Sequence, residues 1–134
     1  MVLLDTNVII RHLTQSPATQ GQAASRFLGS AESLLLTDVI AAETVHVLES
    51  VYRAPRQTIA AALRALLAMR TVTAERLQVV MRAVELYESE RMDFTETYLV
   101  AFAEADGIDQ VASFDKGIDK AVHGSTVTRL DPGQ

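Results

Sequence analysis

Short apolar runs and amphipathic stretches alternate along the chain, and this alternation predicts strands separated by helices. Residues 2–4 and 34–36 are unbroken apolar runs too short for a helix, which is typical of strands buried on both faces. Residues 111–114 are predicted to form a third strand, ending at Asp115, and residues 126–130 an edge strand. Strands separated by helices favour a parallel sheet flanked by helices.

The helices are predicted from apolar residues at helical spacing and from residues that start or stop a helix. Thr37 and Asp93 are candidate N-caps, and Gly107 is expected to end the last helix. Residues 71–73 are interpreted as a short extended link. The predicted helices cover residues 8–28 with a break near Pro17, 38–53, 55–70, 74–89 and 94–105.

Composition narrows the class of protein. The 134 residues predict a single domain, 1–134, and the absence of cysteine excludes disulfides and thiolate metal sites. No apolar run reaches membrane-spanning length and no signal peptide is visible, so we expect a cytoplasmic protein with no membrane partner. A nucleotide-binding regulatory domain is disfavoured, because no glycine-rich phosphate loop is present.

The net charge of −5 is distributed unevenly along the chain. Residues 53–82 hold six arginines and one acid, whereas residues 85–119 hold ten acids and two bases. The arginines are either a solvated helix face or a rim that contacts phosphates around an acidic centre.

Two carboxylates follow predicted strands, Asp5 after the first and Asp115 after the third. In open α/β sheets the carboxyl ends of parallel strands line the crevice that binds ligands, so both side chains would point into it. The alternatives are that Asp5 only caps the following helix and that Asp115 only forms a turn.

Two further carboxylates lie on predicted helices. Glu43 has apolar neighbours one turn away on either side, which places it on the apolar stripe, where a carboxylate needs a partner. Glu96 lies in the first turn of the helix that begins at residue 94. Asp93 and Glu96 also have the spacing of a capping box, in which Glu96 would reach back to the backbone, and both interpretations remain open.

Strand ends and helix faces thus offer four candidate catalytic carboxylates, Asp5, Glu43, Glu96 and Asp115. Clustered carboxylates repel one another and need a cation. Oxygen-only ligands select a hard ion, Mg²⁺ or Mn²⁺, which holds a phosphate and activates a water for in-line attack. Residues expected to orient the carboxylates or the water are Thr6, Asn7, Ser113 and Asp93, together with Asp119, which is either an outer ligand or a surface acid.

Four motifs resemble those of the PIN-domain family, and within it the VapC toxins of toxin–antitoxin pairs: LLDTNVIIR, AETVHVL, DFTETYLVA and SFDKGIDK. The resemblance covers nearly the whole chain, and the four motifs appear in the order and spacing of the family. The resemblance implies a three-layer α/β/α sandwich with a central parallel sheet of four to five short strands. It also implies a metal-dependent endoribonuclease that leaves 5′-phosphate and 3′-hydroxyl ends, forms a homodimer and is neutralised by a small VapB-like antitoxin.

Asp5, Glu43 and Asp115 match three acidic positions of the family, whereas the fourth position departs from its pattern. The family usually reads D-F-x-D-A-x-L-x-A there, so Glu96 stands where the second aspartate is expected and is one methylene longer. This difference could pass the role to Asp93, and it keeps open a PIN-like module that binds RNA or protein with weak or no catalysis. Residues expected to contact RNA are Arg11, Arg53, Arg56 and Lys116.

Overall fold

The computed structural model describes residues 1–30, 32–122 and 124–134, which divide into two compact units, Met1–Leu77 and Gln78–Gln134. The strands of each unit pair in parallel and are connected by helices, which confirms the predicted α/β class with parallel sheets flanked by helices. The described strands form a three-stranded and a two-stranded sheet. Each sheet is smaller than the predicted sheet of four to five strands.

The first unit contains a three-stranded sheet of β1 (Val2–Leu3), β2 (Leu34–Leu36) and β3 (Val72–Ala74), in that order. Leu34 of β2 lies opposite both Val2 of β1 and Val72 of β3, and it is fully buried. The helices pack apolar residues such as Ile9 and Ile59 into this core. The elements are β1 (Val2–Leu3), α1 (Thr6–Thr14), α2 (Ala18–Ser30), β2 (Leu34–Leu36), α3 (Asp38–Ser50), α4 (Arg56–Ala68) and β3 (Val72–Ala74).

Two sequence predictions about these strands are wrong. Residues 71–73 were expected to be a link, yet Val72–Ala74 pairs with β2, because a run this short shows no period that would reveal a strand. β1 was expected to be buried on both faces, but among the described strands it pairs only with β2, and Val2 and Leu3 are 51% and 67% exposed. Of that apolar run only Leu4 is buried.

The core of the second unit is formed by α5 (Leu77–Glu90), α6 (Phe94–Asp106) and the segments around its two-stranded sheet. Buried members of this core include Met92, Val100, Ile118 and Val127. β4 ends at Ala112 rather than at residue 114 as predicted, so two residues separate the strand from Asp115. The elements are α5 (Leu77–Glu90), α6 (Phe94–Asp106), β4 (Gln110–Ala112), a 3-10 helix (Lys116–Val122) that the sequence did not predict, and β5 (Thr128–Leu130).

Local start and stop signals act as predicted at several helix ends. The Thr37 hydroxyl accepts a hydrogen bond from the backbone N–H of Ile40 at 3.3 Å and caps α3. Gly107 ends α6 in the left-handed conformation, with a φ of 69° that glycine adopts without strain. None of the described helices has both the length and the apolar character that a membrane-spanning helix needs.

Candidate functional site

Asp5 and Glu43 line one cavity of about 300 Å³ in the first unit, which we call the acid cavity. Asp5 follows the first apolar run and occupies the N-cap of α1, where its Oδ1 accepts a hydrogen bond from the Thr6 N–H at 2.8 Å. A carboxylate has a second oxygen, so capping and binding at the cavity are compatible. Both acidic residues are exposed to solvent.

The exposure of Glu43 shows that the predicted place on the buried stripe of α3 is wrong. The buried face of this helix consists of Ala41, Thr44, Val45 and Leu48. Apolar residues also occur on the outer face, where Val39 is 74% exposed. Because apolar side chains surround the helix, spacing alone could not show which face turns inward. Glu43 therefore presents its carboxylate to the acid cavity and needs no buried partner.

Thr6 lines the acid cavity, and its hydroxyl has no hydrogen-bond partner among the described residues. The residue is 6% exposed, and its Oγ1 is buried and makes no hydrogen bond to any described group. Buried polar atoms in proteins almost always have a partner. The orphaned hydroxyl therefore marks a place for a water or a ligand atom close to Asp5.

Glu96 and Asp115 form a hydrogen-bonded pair of carboxyl groups in the second unit. Partial burial, followed by the bond to Asp115 and the charges of Asp115 and Asp93, raises the pKa of Glu96 to about 7. The same bond, followed by the Gly117 N–H donated to Oδ1 at 2.8 Å, lowers the pKa of Asp115. Of the two carboxyl groups, Glu96 therefore binds a proton more tightly than Asp115 does.

This pairing contradicts the capping-box interpretation of Asp93 and Glu96. Asp93 does occupy the N-cap of α6, but its side chain makes no capping hydrogen bond. The carboxyl group of Glu96 bonds to Asp115, a residue distant in sequence, rather than turning back to the start of its own helix. Glu96 is therefore held by tertiary structure and not by local helix chemistry.

Gly117 is a residue of this site that sequence reasoning missed. A Cβ atom at this position would lie 2.8 Å from Oε2 of Glu96 and 3.0 Å from Oδ1 of Asp115. Both carboxyl groups thus lie against the bare Cα of the glycine. The side chain of a larger residue would occupy the space beside them. The only signal in the sequence was a glycine two positions after Asp115, which also occurs in ordinary turns.

Replacing Gly117 with alanine is expected to weaken Mn²⁺ binding about tenfold, because the new methyl group displaces the Glu96 carboxyl. The melting temperature should change little, since the displaced atoms are the end of a flexible side chain. Isothermal titration calorimetry and thermal melts would measure the two effects. Gly29→Ala is the matched control, because a Cβ there meets nothing within 4 Å. Equal Mn²⁺ affinities for wild type and Gly117→Ala would contradict this account.

The other residues predicted to support the carboxylates have defined partners. The Ser113 hydroxyl accepts a hydrogen bond from the Asp115 N–H at 2.9 Å and fixes the turn that carries this carboxylate. Oδ1 of Asp119 accepts from Nε of Arg129 at 3.0 Å, so Asp119 already has a cationic partner. Asn7 is exposed and lines the acid cavity. The roles of these residues toward a metal remain predictions.

The residues predicted to contact RNA occupy different places. Arg11 lies on α1 and lines the acid cavity. Arg53 is exposed in the loop after α3, at a left-handed φ of 51°, and Arg56 begins α4. Lys116 is exposed at the start of the 3-10 helix. Arg82, which also belongs to the arginine-rich residues 53–82, forms an ion pair with Glu104 at 2.9 Å.

Each unit thus contributes one pair of the four predicted carboxylates. Among the described residues, no group of three or more histidine, cysteine or acidic side chains is arranged to hold a metal ion. The donors nevertheless fit a hard divalent cation, because all of them are oxygens. The buried Thr6 hydroxyl, which lacks a partner among the described residues, and the adjoining carboxyl groups of Glu96 and Asp115 are polar groups that such a cation could engage.

Without metal, the stability of the protein is expected to fall as the pH rises from about 4.5 to about 7. The folded state holds the Glu96 proton with a pKa of about 7, against 4.5 for an ordinary glutamate, so in this window it binds more protons than the unfolded state. The lowered pKa of Asp115 acts in the opposite direction and only below its ordinary value of 3.8. Thermal melts in EDTA across this range would measure the slope, and a slope that Glu96→Gln leaves unchanged would rule out Glu96 as its source.

The model of the PIN-domain family matches residues 2–123, which is most of the chain and includes parts of both units. A search of curated proteins finds no significant match. PIN domains are generally nucleases that act on nucleic acid with the help of divalent metals. The single domain over residues 1–134 stays a prediction. On the extent of this match, the chain belongs to the PIN-domain family.

Proposed function

We propose that this PIN-domain protein is a Mg²⁺- or Mn²⁺-dependent endoribonuclease and the toxin half of a VapBC-type toxin–antitoxin pair. The observation that carries the proposal is the carboxyl pair of Glu96 and Asp115, whose oxygens meet beside the bare Cα of Gly117. The motif around Asp5 and the cavity that Asp5 shares with Glu43 support it.

The four carboxylates are the residues that would hold one or two cations, and a bound cation would supply charge to hold a phosphate and to acidify a water. Glu96 would bind a cation in its deprotonated form, and because its pKa is raised to about 7, cation binding near neutral pH would be accompanied by proton release. Asp115 is oriented for this role by the hydroxyl of Ser113 and the N–H of Gly117. Asp5 is oriented by the Thr6 N–H.

Incubation of the purified chain with a mixed pool of RNA, with Mn²⁺ or with EDTA, tests the proposal. We expect internal cleavage that requires Mn²⁺ and leaves 5′-phosphate and 3′-hydroxyl ends, which can be identified by ligation. Calorimetry should show Mn²⁺ binding accompanied by proton release. RNA binding without cleavage would instead favour the PIN-like binding module, and absence of both Mn²⁺ binding and cleavage would overturn the enzyme assignment.

The proposal includes a protein partner, a small antitoxin that presents an arginine or lysine to the carboxylates. An amphipathic segment of this partner would pack against α3 and α4. In support, α3 and the loop after it expose Val39, Val51 and Tyr52, and the last two line the acid cavity. We also propose a homodimer, which light scattering would detect. Cleavage should stop when the cognate antitoxin is added in equimolar amount.

A further inference from the structure

A second and larger cavity, of about 450 Å³, lies between α1 and α2, and we call it the α1–α2 cavity. Its apolar wall includes Val8, Ala23 and Phe27, and its polar edge includes Arg11 and Gln20. The volume falls within the range of about 300–1,000 Å³ that is typical of small-molecule sites. A mostly apolar cavity with a few polar groups at one edge suits a flat, partly polar ring.

Phe27 provides such a ring with a surface for stacking. The buried face of α2 consists of Gly21, Ala24 and Leu28, so Phe27 is not part of the core. Its side chain is 42% exposed even though it borders a cavity. Aromatic side chains placed in this way are the platforms on which single-stranded nucleic acids stack their bases.

Arg11 gives the same cavity a positive charge. Its Nε donates a hydrogen bond to Oε1 of Gln20 at 2.8 Å, which holds the guanidinium in place without neutralising it. No described residue forms an ion pair with Arg11, and none of the described residues lining this cavity is acidic. The remaining N–H groups of the guanidinium can therefore bind a phosphate.

The α1–α2 cavity and the acid cavity are neighbours. Asn7 and Arg11, one turn apart on α1, line both of them. A nucleic acid strand with one phosphate at Asp5 and Glu43 would therefore place an adjacent nucleotide across this turn of α1.

We propose that the α1–α2 cavity binds one base of single-stranded RNA, with Phe27 stacking on the base and Arg11 binding the adjacent phosphate. This inference rests on the proposed ribonuclease function and deepens it, because it names the residues that would hold one base and the adjacent phosphate of the RNA. An amphipathic protein helix could also cover the apolar wall. The unneutralised Arg11 and the continuity with the acid cavity favour the nucleic acid.

Binding of short fluorescent single-stranded RNAs in EDTA, where metal-dependent cleavage stops, tests the stacking. In a series of RNAs with one abasic position moved along the strand, we expect wild type to lose about tenfold in affinity at one position. On intact RNA, Phe27→Ala should bind about tenfold more weakly than wild type. On that abasic RNA the variant and wild type should bind with equal affinity, because both changes remove the same contact. Phe27→Leu is the matched variant, which keeps apolar volume but has no ring face.

Arg11→Gln tests the phosphate contact separately. The slope of log affinity against log salt concentration should become shallower by about 0.7, the value for one phosphate contact on a single strand. Thermal melts show whether each variant is folded. The exposed position of Phe27 predicts that the Phe27 variants are folded.

The outcomes separate this inference from the function on which it rests. If wild type cleaves RNA but Phe27→Ala binds every RNA as wild type does, the stacking site is wrong and the ribonuclease stands. If Phe27→Ala weakens only the binding of the antitoxin, the cavity is a protein-docking surface and the inference is likewise wrong. A wild type that binds neither Mn²⁺ nor RNA overturns both.

Discussion

Glu96→Gln is expected to lower Mn²⁺-dependent RNA cleavage about a hundredfold or more and, at the same time, to raise the melting temperature of the metal-free protein at pH 7.5. Glutamine removes the charge that Asp115 and partial burial oppose, and it can still donate a hydrogen bond to Asp115. A gain of about 1 kcal/mol would raise the melting temperature by about 3 °C in a chain of this size. A cleavage assay and melts in EDTA measure both effects.

Asp93→Asn is the matched control for this experiment. Asp93 lies at the start of the same helix, and its charge acts on Glu96, but it is exposed and its side chain makes no capping bond. The substitution should therefore leave cleavage and stability nearly unchanged. Glu96→Asp, which restores the usual length of the family at this position, should retain activity. If Asp93→Asn is inactive and Glu96→Gln cleaves normally, the fourth acidic position belongs to Asp93.

The parts of the fold that the sequence predicted correctly depend on a few adjacent residues. Thr37 caps α3 and Gly107 ends α6 because each acts on backbone groups within one turn of itself. The face of α3 that carries Glu43 was predicted wrongly, since apolar residues on both faces of this helix make periodicity ambiguous. Which face is buried depends on the elements packed against it, and that information is not local.

The residues of the candidate site likewise differ in whether the sequence alone could reveal them. Four short motifs predicted the carboxylates of the site, and the structure brings Asp5 together with Glu43 and Glu96 together with Asp115. Their role in holding a metal stays a prediction. The capping box was the wrong interpretation of Glu96, because the partner of this residue, Asp115, is distant in sequence. Gly117 and Phe27 could not be identified, since the importance of each comes from the atoms that surround it in three dimensions.

Asp5→Asn is expected to abolish Mn²⁺ binding and to lower RNA cleavage about a hundredfold or more, while the fold remains intact. Asp5 has two roles in the structure: its Oδ1 accepts the Thr6 N–H at the start of α1, and its carboxylate lines the acid cavity with Glu43. Asparagine caps a helix about as well as aspartate but lacks the negative charge, so only the second role is lost. Calorimetry, a cleavage assay and thermal melts measure the outcome.

Asp5→Ala separates the two roles, because alanine removes both the charge and the cap. Loss of an N-cap costs about 1 kcal/mol, so this variant should melt a few degrees below Asp5→Asn while being equally inactive. If both variants lose cleavage but differ in melting temperature, the charge of Asp5 serves the reaction and its hydrogen bond serves α1. If Asp5→Asn binds Mn²⁺ as wild type does, Asp5 is only a helix cap, and the acid cavity that it shares with Glu43 holds no metal.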